Sequence, residues 1–217
     1  MARLSSKTDQ RALLLWQAAV LQKSPIPPVL FNRSDFGHDA LRQIARLSAK
    51  PDGPMRALKR LSELGISVVI MPALPGTFLD GAAMTGQAGN PVIALTLRHD
   101  RVDSFWFTLL HECAHVALHL NKVEAMFVDD MEIRNEDEYE READALARDA
   151  LIPPAILGQV TWGSSTSYED LTMLATRARV HLSIAVGRWQ RDHLNYKRFS
   201  RMIDRVSVRD MLGAFSG

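Results

Sequence analysis

The stretch FTLLHECAHVALHL at residues 107–120 decides how the rest of the chain is read. Within it His111, Glu112 and His115 stand in the order H-E-x-x-H. On an α-helix, positions i and i+4 share one face, so both imidazoles can point at one ion. Glu112 lies about 100° round the helix from His111. That sets its carboxylate beside the ion, within reach of a proton on ion-bound water, which is the reason zinc peptidases use this pattern. The flanks Phe105, Phe107, Leu109, Leu110, Val116, Ala117 and Leu118 are apolar, which predicts a buried helix over 103–120. Two histidines and a glutamate inside such a helix need partners, and a metal ion supplies them.

Other residues of the stretch fit less well as ligands. Cys113 lies two positions from each histidine and faces away from the ion, so it reads as a small buried filler. His119 shares the face of His111 and His115. Eight residues of helix nevertheless put it about 12 Å from His111, too far to share one ion. The longer pattern H-E-x-x-H-x-x-G-x-x-H would need Gly at 118 and His at 121, where Leu118 and Asn121 stand.

A catalytic zinc needs a third protein ligand and one open position. The candidates lie in NEDEYEREADALARDALIPP (135–154): Glu136, Asp137, Glu138, Glu140, Glu142 and Asp144. Most must form a solvated acidic face. Glu140 and Asp144 are spaced i, i+4 beside the apolar stripe Ala143, Leu146, Ala147, Ala150 and Leu151. That suits a ligand glutamate followed by an aspartate that orients a ligand histidine through its free N–H. Glu140 is the favoured third ligand and Glu142 the alternative.

Upstream, DQRALLLWQAAVLQK (9–23) reads as a helix stopped by SPIPP, whose prolines remove backbone donors. Residues 38–48 predict a second helix and 54–64 a third, with Pro54 in its first turn and Gly65 just past its end. The period then shortens. Residues 66–71, 77–85 and 91–97 predict three strands, the last two joined by GQAGN as a hairpin. After the histidine helix the pattern is helical: 136–151, a helix capped by Ser167 with Asp170, and one capped by Ser183 and running to about His193.

HECAH (111–115) followed by EREADALARDALIPP (140–154) resembles the ImmA/IrrE family of zinc metallopeptidases. DGAAMTGQAGNPVIALTLRHDRVDSFWFTLLHE and HLSIAVGRWQRD (181–192) are similar to a subgroup of helix-turn-helix regulators and antitoxin-like proteins. The resemblance spans roughly residues 55–195. It implies an α+β fold with a mostly helical, gluzincin-like core and a small three-stranded sheet before the H-E-x-x-H helix. It also implies zinc held by His111, His115 and Glu140, with Glu112 as general base. The expected activity is intracellular cleavage of a regulatory protein, a repressor or a toxin–antitoxin component. Residues 1–50 are expected as an N-terminal helical extension and 51–217 as the metallopeptidase domain. The first 50 residues are too short, and too interrupted by SPIPP, for a helix-turn-helix domain. The chain is therefore expected to be a stand-alone form or a fragment of a longer regulator.

A tetrahedral oxyanion needs a donor beyond zinc, and His181, with Arg188 behind it, is the candidate. His99 with Arg98, Arg101 and Asp103 is expected to form a structural charge cluster before the active helix. A different reading keeps the zinc but not the turnover: a zinc-stabilised, antitoxin-like binding protein, part of a DNA-binding regulator. Retention of Glu112 argues against it, because a structural site needs no base.

Composition narrows the field further. With 47% hydrophobic and 24% charged residues in 217, the chain is ordinary for a globular protein. A formal net charge of +1 exerts no general pull on nucleic acid or anionic lipid. Nine basic residues between Arg177 and Arg209 could serve a helix-turn-helix, but a solvated helical face is the default, and direct nucleic-acid binding is not expected. One cysteine, no signal-peptide pattern and no run of 18 apolar residues point to a cytoplasmic protein without a membrane span.

Overall fold

The central strand of the sheet explains its own composition. In the computed structural model, which describes residues 9–120, 132–203 and 206–213, β3 (Pro91–Leu95) is buried at every position. Of residues 132–137 only the helical backbone is described. β2 (Gly81–Thr85) pairs with β3 antiparallel, Gly81 opposite Leu95 and Thr85 opposite Pro91. The turn between them closes through Gly86 N–H to Asn90 O at 2.7 Å, with Gly89 at φ +78°. β1 (Ser67–Ile70) pairs with β3 in parallel, so the order among the described residues is β1-β3-β2. Residues 77–80, read as part of a strand, lie outside β2, and Thr77 N–H turns back to Leu74 O.

Side chains alternate across a strand, and here each set meets a helix. Val92 and Ala94 join Val69, Leu79 and Ala82 against Leu13, Trp16 and Val20 of α1 (Gln10–Lys23). Ile93 and Leu95 turn the other way, into the main core with α3 (Gly53–Glu63) and α4 (Val102–Leu118). A strand covered on both faces has no polar alternation to show. Full burial of a side chain such as Leu109 or Ile93 is worth about 1.5–3 kcal/mol.

α4 is the axis of the helical layer. It packs on β2 and β3, on α5 (Glu132–Leu151), on α8 (Leu182–Asp192) and on α2 (His38–Arg46). Ala143, Ala147 and Ala150 of α5 are buried, and their small side chains let it lie close to α4. After the short α6 (Pro154–Leu157), α7 (Tyr168–Ala178) opens with the capping box Ser167–Asp170. α8 starts two residues earlier than Ser183 would set it: His181 is its cap, the ring Nδ1 accepting from Ser183 N–H at 3.1 Å. Of the residues expected as an extension, Leu13, Trp16, Val20, Leu41 and Ile44 pack into these cores. Arg42 of α2 is buried and donates to the carbonyls of Ala150, Leu151 and Ala178, fastening the ends of α5 and α7 together. No helix among the described residues is long and apolar enough to cross a membrane.

Candidate metal centre

α4 carries His111, Glu112 and His115 in its buried half, where they are 7%, 3% and 1% exposed. The i, i+4 spacing sets the two rings 4.7 Å apart and brings their Nε2 atoms to 3.0 Å. Glu140 reaches them from α5, with Oε2 3.2 Å from His111 Nε2 and Oε1 3.3 Å from His115 Nε2. These contacts lack hydrogen-bond alignment, and both carboxylate oxygens of Glu140 are buried without a hydrogen bond.

The triangle has the dimensions of a ligand set. Around a tetrahedral ion bound at about 2.0–2.1 Å, neighbouring ligand atoms stand about 3.3 Å apart. The observed edges are 3.0, 3.2 and 3.3 Å. Two imidazoles and a carboxylate leave the fourth position for water or substrate. The donor set and the orphaned Glu140 oxygens therefore fit a metal ion, and His111, His115 and Glu140 form a metal-capable group among the described residues.

The residues around the triangle hold it in place. Asp144, one turn beyond Glu140, places Oδ1 3.0 Å from His111 Nδ1, so the other nitrogen of that ring faces the centre. Arg191 of α8 sets Nη2 3.5 Å from Asp144 Oδ2 and lies 4.3 Å over the Phe107 ring. Glu142, the alternative ligand, points elsewhere: it is half exposed and meets His119 Nε2 at 2.9 Å. Gly81 at the start of β2 faces Glu112. A Cβ there would lie 2.7 Å from Glu112 Oε1 and 2.9 Å from Thr108 Cγ2.

Charge is distributed unevenly. Burial drives Glu112 up to about 7, opposed by the charge of His111 and reinforced by Glu140 and Asp80. Burial alone would lower His111, but the carboxylates of Asp144 and Glu140 outweigh it and carry the ring to about 9. His115 falls to about 4 through burial, with the charge of His111 adding to it. Burial opposes the ionisation of Glu140, yet the two histidines hold it well below the usual carboxylate range. Without an ion the centre is thus a His111–Glu140 charge pair beside a neutral His115.

A cleft of about 390 Å³ opens on His111 and Glu112 and is lined by Asp80, Gly81, His99 and Thr108 among others. A second hollow of about 450 Å³ shares Phe107 and Arg191 with it and carries Arg148 and Arg188. His99 faces this cleft, its Nε2 4.0 Å from Asp80, while Arg101 pairs with Asp103. His181 does not come to the centre. It caps the first turn of α8, with its own N–H on Ser48 Oγ, whereas the metal-centre neighbour Arg191 stands at the other end of that helix. An imidazole at a helix start is spent on orphan N–H groups, and the oxyanion role falls away from it. Gly81 and Arg191 carry no signal for this position in the sequence: one reads as a strand glycine and the other as part of a basic tail.

The sequence profile of a peptidase family described as the IrrE N-terminal-like domain matches residues 61–190, from α3 through the metal centre to α8. Comparison with curated proteins finds no match.

Proposed function

The chain belongs to the IrrE N-terminal-like peptidase family, and from that premise we propose that it is a zinc-dependent endopeptidase that cuts a regulatory protein inside the cell. The observation that carries the reading is the convergence of His111, His115 and Glu140, with Glu112 buried beside them. These three residues would hold the ion. When bound, zinc polarises the scissile carbonyl and makes its water acidic enough to attack near neutral pH. Glu112 takes the proton of the attacking water and passes it to the leaving amine, and a carboxyl with a pKa near 7 suits both halves of that transfer. Asp144 keeps His111 in the tautomer that presents Nε2. Gly81 leaves Glu112 the space it needs.

Gly81, at the start of β2, lines the same cleft, so an extended substrate would run past it and lodge side chains in the two adjoining hollows. A repressor or a toxin–antitoxin component is the substrate class the reading favours. The buried state of the one cysteine is compatible with a reducing compartment.

The test is to express the native chain and Glu112→Gln in the same host and compare newly formed protein N-termini by mass spectrometry. Zinc content is measured on both proteins, and on Glu140→Ala. We expect one zinc per chain in the first two, its loss in the third, and cleavage products of a regulator from the native chain only. Matching N-termini and undiminished biological output in Glu112→Gln would instead establish a zinc-stabilised binding protein.

A further inference from the structure

His119 takes no part in the ligand triangle, yet it is fully buried. It stands at the end of α4, one turn past His115, with its N–H on the His115 carbonyl at 2.9 Å. Its Nδ1 lies 3.0 Å from Nδ1 of His115, and its Nε2 lies 2.9 Å from Oε2 of Glu142. Its ring lies tilted by 34° against Tyr139, 4.6 Å between centroids. We propose that Glu142 and His119 are positioning residues, a two-step relay that fixes the tautomer and aim of the metal ligand His115.

The proton count leaves one arrangement. Nε2 of His115 must be free of a proton to hold a cation, so the ring proton of His115 sits on Nδ1. That N–H donates to Nδ1 of His119, which must then accept. The proton of His119 consequently sits on Nε2 and donates to the carboxylate of Glu142. Each N–H has an acceptor, and the chain ends on a negative charge that pushes electron density toward His115 Nε2. His111 is served the same way, but directly, by Asp144.

The two helices face each other through these side chains: His111 meets Asp144 and Glu140, His115 meets Glu140, and His119 meets Glu142. The buried His119 supplies what a carboxylate too far away cannot supply alone. A purely structural histidine in this place would be satisfied by any donor or acceptor. The relay instead requires that His119 accept from a ligand and donate to an anion.

The proposal rests on the reading of the triangle as a metal centre. Its test uses metal affinity, which needs no substrate. Zinc binding to the native chain, Glu142→Ala, Glu142→Gln and His119→Phe is measured by competition with a chromogenic chelator at fixed pH. The Co(II) absorption spectrum of each variant is recorded alongside. Loss of an outer partner weakens metal binding by about 10–100-fold. With Glu142 half exposed, a loss near the lower end is expected for Glu142→Ala. Glu142→Gln, which keeps an acceptor oxygen, should recover part of that loss. His119→Phe keeps the ring contact with Tyr139 and removes both hydrogen bonds. In a relay, adding Glu142→Ala to His119→Phe costs nothing more, and the Co(II) bands shift in both single variants.

Affinity unchanged in Glu142→Ala, or losses that multiply in the double variant, would overturn the relay while leaving the metal centre standing. Should His119→Phe fail to fold, the two Glu142 variants decide the matter alone. A native chain that takes up no zinc would overturn both readings.

Discussion

Glu112 should make the folded chain less stable as pH rises, and by a measurable amount. Its side chain is 3% exposed, Oε2 has no hydrogen-bond partner, and burial carries the carboxyl from 4.5 to about 7. The unfolded chain lacks that burial, so the native state holds this proton more tightly. Such a group contributes its stability fully below the unfolded pKa and loses it as pH rises through the folded one. Ionising Glu112 inside the fold costs less than about 1 kcal/mol at about pH 5 and about 3 kcal/mol at about pH 8. Glu112→Gln cannot ionise, and the cost of burying its amide is the same at both pH values. The stability of the variant relative to the native chain should therefore climb by about 2–3 kcal/mol over that interval. The charge of His111 is already contained in that value, because it opposes the effect of burial on Glu112. The assay is urea unfolding of metal-free protein in excess chelator, followed by fluorescence of Trp16, Trp106 and Trp189, each buried at 1% exposure. A difference between variant and native that stays flat with pH, or falls, would refute the reasoning.

Further outcomes follow from the same geometry. Zinc must displace the proton that Asp144 and Glu140 hold on His111 against burial, so affinity should rise about tenfold per pH unit up to about pH 9 and then level. Calorimetry in buffers of different protonation enthalpy checks this, and a pH-independent affinity contradicts it. Gly81→Ala ought to gain about 0.5–1 kcal/mol in an ordinary strand. Here the added Cβ meets Glu112 and Thr108 below 3.0 Å, and a loss of about 1–3 kcal/mol is expected, so a stabilised variant would count against the packing described. Arg42→Met should cost about 3 kcal/mol by orphaning the carbonyls of Ala150, Leu151 and Ala178. Denaturant titration reads that loss, and unchanged stability would mean the helix ends find other donors.

What the sequence disclosed was set by how local each feature is. The spacing of His111 and His115 fixes their common face within one turn, so the pair was legible from residues alone. Glu140 was legible too, because Asp144 lies a turn beyond it, although only the docking of α5 on α4 turns Glu142 away toward His119. The same docking gives His119 its partners. Distance from His111 argues against it as a ligand and says nothing about what its ring touches. The all-apolar run of β3 read as a strand, but its parallel pairing with β1 depends on how the chain crosses the sheet. His181 was misread because a histidine before a helix carries the same pattern whether it caps the helix or serves a site. Gly81 stands opposite Glu112 through contacts between a strand and a helix, which no spacing within either element encodes.

Cys113 sits between His111 and His115 with its side chain wholly in the core, and burial pushes its thiol well up. A thiolate is the form that reacts. The sulfur can therefore be modified only in a molecule whose α4 has come away from its neighbours. The chain carries a built-in clock: the speed at which an excess of thiol reagent consumes it counts the openings of that one helix. An ion bridging α4 and α5 would slow the clock, so occupancy of the centre can be timed through an atom that never touches it.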